Sequence, residues 1–141
     1  MTAVGRTTSH QHVLLVVEDS DVTRESLGLL LQMEGYRVAT APTGLEALHL
    51  LRTLGFRPCV ILADLIMPKM DGITFHAEQQ KYPDLAHIPV IALTAHEGLR
   101  RHALDVGFAA ALLKPCDFPT LFGLVYQHCR HTRSLHLAKR A

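Results

Sequence analysis

Three carboxylates, a hydroxyl and an amine stand where short apolar runs of the chain give way to polar residues. Glu18 and Asp19 follow the run 13–17, Asp64 closes 60–63, Thr94 follows 88–93, and Lys114 follows 109–113 with Pro115 next. Three carboxylates gathered without a cation repel and push one another's pKa upward, so the set needs a positive partner. Oxygen-only ligation suits Mg²⁺, or Mn²⁺, and none of the five groups is a histidine or thiol that would favour zinc. A carboxylate nucleophile, a metal that neutralises phosphoryl oxygens, a lysine as second cation and a hydroxyl donor are together the equipment of phosphoryl transfer. Asp64 stands apart from the adjacent Glu18–Asp19 pair, which makes it the nucleophile of the set. Taken singly each group has a plainer use: Asp19 or Asp21 can cap a helix, Thr94 can cap another, and an isolated Lys114 can be a solvated charge. Asp64 suits capping poorly, because Leu65-Ile66-Met67-Pro68 follows it rather than a helix.

Elements that bring these ends together can be read from the pattern. The runs 13–17, 60–63, 88–93 and 109–113 are continuously apolar, as strands covered on both faces are, and 36–39 supplies a fifth. Between them lie stretches with helical spacing. Residues 21–33 carry Val22, Leu29, Leu30 and Met33 on one side and Arg24, Glu25 and Gln32 on another, with Gly35 as the stop. Pro42 and Thr43 open the next, where Leu45, Leu48 and Leu51 recur up to Gly55, and 71–80, 97–106 and 117–129 complete five. Strand and helix alternating five times predict an α/β fold, a parallel sheet between helix layers with right-handed crossovers. Ligands of such sheets bind beyond the carboxyl ends of the strands, which is where the five polar groups stand.

The chain has 141 residues, 48% of them hydrophobic and 19% charged, enough for one domain with its own core. No apolar run approaches the roughly 20 residues that span a bilayer. Residues 1–12 lack the apolar stretch of a secretory signal, so the cytoplasm is the expected compartment. The net charge of +1 hides an asymmetry: nine basic residues face thirteen acidic ones between 13 and 129, while Arg130, Arg133, Lys139 and Arg140 make the end basic. Residues 1–11 are expected to be a flexible lead-in and 131–141 a loose basic tail with no effector or DNA-binding domain; four cations without a reading head are a weak nucleic-acid footprint. Cys59, Cys116 and Cys129 form no C-x-x-C pair, so reduced thiols are expected rather than a disulfide or a zinc site. His128, His131 and His136 cannot fix a third metal ligand by spacing.

The ordered set Val16-Val17-Glu18-Asp19, Asp64-Leu65-Ile66-Met67-Pro68-Lys69-Met70-Asp71-Gly72, Ala92-Leu93-Thr94-Ala95 and Lys114-Pro115 resembles the receiver domain of bacterial two-component response regulators, over residues 12–130. The resemblance implies a flavodoxin-like (βα)5 sandwich with strand order 2-1-3-4-5. It implies that Asp64 accepts a phosphoryl group from a phosphohistidine of a sensor histidine kinase or histidine phosphotransfer protein. Asp19, Asp64 and the backbone carbonyl of Ile66 would hold Mg²⁺, with Glu18 acting through a metal-bound water. Lys114 would pair with phosphate, Thr94 would donate its hydroxyl to it, the backbone of Ile66 and Ala95 would contact it, and a cis bond before Pro115 would aim Lys114. His96 would border the phosphoryl group opposite Ile66, the pair setting the lifetime of the acyl phosphate. Signalling would pass through a downstream protein partner, or through a homodimer formed by the helix at 97–106, the strand at 109–113 and the last helix. The protein would be no enzyme apart from catalysing its own phosphorylation and dephosphorylation.

This chain departs from that family at its output face. Position 111, where the family usually has an aromatic ring, is Ala111, and the stretch from Thr94 to Gly107 is about two residues shorter than usual. Phe108 reads as core rather than as a substitute for the ring. These departures motivate an alternative, a receiver-like binding scaffold that works without phosphorylation. A haloacid-dehalogenase-like phosphatase would carry a second acid two residues after the nucleophile, where this chain has Ile66. A flavin carrier would need a phosphate-cradling loop after the first strand, and none is written there.

Overall fold

The computed structural model describes residues 12–140, with side chains through Cys129. The expected flexible lead-in 1–11 lies outside the described residues, as do the side chains of the basic end and of His131 and His136.

Five strands, β1 (Val13–Val17), β2 (Arg37–Ala41), β3 (Val60–Asp64), β4 (Val90–Thr94) and β5 (Ala110–Leu113), lie parallel in the order β2-β1-β3-β4-β5. Every residue of β3 and β4 is buried, which is why their sequences are apolar throughout. Alternate side chains enter two cores. Leu15, Val17, Ile61, Ala63, Val90 and Ala92 face α2 (Gly44–Arg52), α3 (Gly72–Gln79) and α5 (Glu97–Asp105) through Leu48, Leu51, Phe75 and Ala103. Leu14, Val16, Val60, Leu62, Ile91 and Leu93 face α1 (Asp21–Met33) and α6 (Phe118–Arg140) through Leu27, Leu31, Leu121 and Val125. The flavodoxin-like α/β sandwich and strand order expected from the sequence are those of the structure.

Several local expectations are corrected. Leu27, Gly28 and Leu31 form the buried side of α1, whereas Val22, Leu29 and Met33 are 76%, 61% and 81% exposed. Gly28 packs against β2, where a Cβ would meet Val38 Cγ1 at an ordinary contact distance of 3.8 Å. Arg24, placed with Glu25 and Gln32 away from the apolar side, shares the inner stripe one turn earlier with its side chain only 15% exposed. In α2, Leu45 likewise turns outward while Ala47 takes the core position. Ser20 caps α1, its hydroxyl accepting from the Thr23 amide at 3.3 Å, so neither Asp19 nor Asp21 is spent there. A short α4 (Pro83–Ala86), absent from the sequence reading, follows α3; buried Gln79 holds it by donating to the carbonyls of Leu85 (2.8 Å) and Ile88 (3.0 Å). Finally, α6 continues to Arg140 through the segment expected to be a loose tail, in keeping with a stretch that contains neither Gly nor Pro after Gly123.

Candidate functional site

The sheet register sets the site. Asp64 pairs with Leu93 and Thr94 with Leu113, so successive strands end one step apart along a single edge. The ladder runs on past the strands: the amides of Glu18, Leu65 and Lys114 donate to the carbonyls of Ala41 (3.0 Å), Leu93 (3.1 Å) and Thr94 (2.7 Å). Each functional side chain therefore leaves a backbone that is tied to its neighbour.

Carboxylate oxygens of Glu18, Asp19 and Asp64 lie within 4.8 Å of one another. Glu18 and Asp64 are buried and Asp19 is exposed. Lys114 reaches between them, its Nζ donating to Asp64 Oδ2 at 3.1 Å and to Glu18 Oε1 at 3.3 Å. Burial raises the pKa of Glu18 and Asp64 adds to the rise, against the pull of the Ser20 amide, which donates to Glu18 Oε2 at 3.0 Å, and of Lys114. Burial works against the Lys114 ammonium, but Asp64 and Glu18 together hold its pKa above the ordinary lysine value. One cation thus faces three anionic groups. An all-oxygen set with this deficit of positive charge fits a hard divalent ion, Mg²⁺ or Mn²⁺.

The segment after Asp64 folds back on the site. The Ile66 amide donates to Asp64 Oδ1 at 3.2 Å, Lys69 takes a left-handed conformation (φ 69°), and the Gly72 amide donates to the Leu65 carbonyl at 2.9 Å. A Cβ on Gly72 would come within 2.6 Å of the Asp64 carbonyl oxygen, so this return is open only to glycine. Thr94 is buried, and its hydroxyl accepts from the His96 amide at 3.2 Å. It does not cap α5, whose N-terminal position is His96 with no side-chain cap. Ile66, Ala95 and His96 line one open cleft of about 600 Å³. The Lys114–Pro115 peptide is cis.

Glu18, Asp19, Asp64 and Lys114 are therefore in one cluster, with Thr94 on the next strand and Ile66, Ala95 and His96 around the adjoining cleft. Two contributors escaped the sequence reading. Ser20 both caps α1 and offers its amide to Glu18, and Arg24 donates to the Glu18 carbonyl at 2.9 Å while pairing with Asp21 at 2.6 Å. The Glu18-Asp19-Ser20-Asp21 string held the signal for Ser20, while Arg24 was hidden by its charge. Phe108 is buried and stacks on His76 (centroids 4.3 Å apart), a core residue as read, and Ala111 packs against the same core.

Comparison with known proteins agrees with this geometry. The chain is 41% identical over 119 residues to an uncharacterized 14.6 kDa protein of Leptolyngbya boryana, covering 82% of this chain and 88% of that one. It is 38% identical over 115 residues to the response regulator PleD of Caulobacter vibrioides, covering 79% of this chain but only 25% of PleD. Its fold superposes on the response regulator protein TrrA of Thermotoga maritima, solved in complex with Mg(2+)-BeF, with a TM-score of 0.74 and 28% identity, covering 84% of this chain and 99% of that one. The response regulator receiver domain matches residues 14–126, and the chain belongs to that family.

Proposed function

We propose that Asp64 is the phosphoacceptor of this receiver domain, taking its phosphoryl group from a phosphohistidine of a sensor histidine kinase or a histidine phosphotransfer protein. A carboxylate oxygen of Asp64 attacks phosphorus, the phosphorus–nitrogen bond breaks, and the imidazole leaves with a proton from solvent. The product is a mixed carboxylic–phosphoric anhydride. The observation that carries this reading is the Lys114 ammonium bridging Asp64 and Glu18 inside a cluster of three carboxylates.

Asp19 and Asp64, with the Ile66 carbonyl, would hold Mg²⁺ or Mn²⁺, and Glu18 would act on it through water. Bound there, the ion supplies the charge neutralisation that lets an anionic carboxylate meet an anionic phosphoryl group. Lys114 already sits 3.1 Å from Asp64 and needs only to exchange that carboxylate oxygen for a phosphoryl oxygen. At about 4 Å and an effective dielectric of 20, such a pair is worth roughly 4 kcal/mol. The Thr94 hydroxyl keeps its proton for donation, since its one described bond is as acceptor, and the amides of Ile66 and Ala95 border the same space. The modified domain would act by binding a downstream protein or by pairing through α5, β5 and α6. Its only chemistry would be on itself. Among the described residues no helix is long and apolar enough to cross a membrane.

Purified protein incubated with acetyl phosphate and Mg²⁺ and weighed intact should gain one phosphoryl group. The adduct should vanish in Asp64→Asn and with EDTA. An adduct that persists in Asp64→Asn, or a wild type that takes none, overturns the assignment.

A further inference from the structure

The carboxyl ends of the strands hold hard oxygen donors; the opposite ends gather a set of the other chemical kind. His12 stands just before β1, Cys59 just before β3, and Cys129 on α6, and one ligand atom from each lies within 4.8 Å of the other two. The same ladder that orders the acidic edge fixes two of them, because the Cys59 amide donates to the Val13 carbonyl at 2.7 Å and the Arg37 amide to the His12 carbonyl at 3.0 Å. Cys129 is fully buried and the other two are half-buried. The rings of His12 and Tyr36 meet edge to face with centroids 6.4 Å apart, which closes one side. Hydrogen bonding from Cys129 draws the Cys59 thiol down to about 6, and the same contact pushes Cys129 up.

We propose that His12, Cys59 and Cys129 form a second metal site, for a thiophilic ion of which Zn²⁺ is the foremost, with the fourth position open to solvent. Two sulfurs and an imidazole nitrogen, their ligand atoms within 4.8 Å of one another, are the donor set of a tetrahedral Cys₂His centre and would draw in to the bonds of about 2.0–2.3 Å that such a centre requires. A divalent ion with two thiolates carries no net charge, so the site can be half-buried without stranding an ion in the core. Mg²⁺ prefers oxygen, so the two ends of the sheet would sort their ions by softness. Occupation would tie α6 to the bases of β1 and β3. The site is independent of the acceptor reading above, and it was invisible to sequence spacing because only the fold brings residues 12, 59 and 129 together.

The full chain, reduced and metal-free, is titrated with Zn²⁺ against a chromophoric chelator and with Co²⁺ as a spectroscopic substitute. One tight equivalent is expected, with thiolate-to-cobalt charge-transfer absorption in the near ultraviolet. That absorption separates this site from the acidic cluster and from the chain's other histidines. Cys59→Ser and Cys129→Ser should each abolish the band and weaken Zn²⁺ binding by ~100-fold or more, and His12→Ala should weaken it, while Asp19→Asn should leave the band intact. Circular dichroism and uptake of acetyl phosphate by the cysteine variants report whether they still fold. The proposal is overturned by a wild type with no charge-transfer band, by a band that survives both cysteine substitutions, or by a reduced protein that takes no Zn²⁺ and yields only a Cys59–Cys129 disulfide on exposure to air.

Discussion

Ile66 and His96 flank the acceptor proposed above, where a single side chain would govern the access of water. Both line the cleft next to Asp64, and Ile66 is about half exposed there, an apolar lid with no proton to give. Hydrolysis of an acyl phosphate needs an oriented water, and a branched apolar side chain offers that water no hydrogen bond. Ile66→Asn should therefore speed loss of the phosphoryl group by about tenfold, equivalent to ~1.4 kcal/mol of barrier. Decay of the purified phosphoprotein, followed by intact mass after removal of acetyl phosphate, checks it, and equal rates would refute the role. At this scale the sequence was most informative where a polar residue interrupts an apolar run. Asp64 closes β3 and Lys114 follows β5, and both were legible because a polar residue breaks an apolar run there. Cys59 and Cys129 were not, since nothing local distinguishes a thiol near another thiol from one alone.

Between Asp64 and α3 the chain must double back, and Gly72 is the residue that permits it. A side chain there meets backbone atoms, the Asp64 carbonyl oxygen at 2.6 Å and Leu65 Cα at 2.9 Å, neither of which can rotate away. Gly72→Ala should cost about 1–3 kcal/mol and displace the segment carrying Ile66. A lowered midpoint in urea together with slower phosphoryl uptake is the expected result, and an unchanged midpoint would show that the loop relaxes freely. Element types were readable because buried parallel strands are uniformly apolar, and α1 was placed over Asp21–Met33 as found. Its orientation was not readable. Val22, Leu29 and Met33 make a convincing apolar stripe, but the helix buries Leu27, Gly28 and Leu31 instead, the side that also brings Arg24 to the Glu18 carbonyl. The short α4 escaped for a related reason: buried Gln79 holds it from the preceding helix, a tertiary bond without periodicity.

For the molecule as a whole, His76 links packing to pH. It lies on α3, buried against Phe108, and loss of hydration holds its pKa below the ordinary 6.5. A depressed folded-state value leaves stability intact above the unfolded value and removes it as pH falls from there toward the folded value. His76→Leu should accordingly lose less stability than the wild type between about pH 7 and about pH 5. Chemical denaturation of the two proteins at each pH tests this, and parallel losses would assign the acid sensitivity elsewhere. The strand order followed from the family resemblance, and the alternation of strand and helix alone gave the layers without the order. The bond from the His96 amide to the Thr94 hydroxyl has one more effect. A hydroxyl drawn toward the acidic edge must either let that amide go or haul residue 96 after it. Since residue 96 is where α5 begins, a displacement of a fraction of a turn in one side chain would be geared, by a single atom pair, to the attitude of a whole helix.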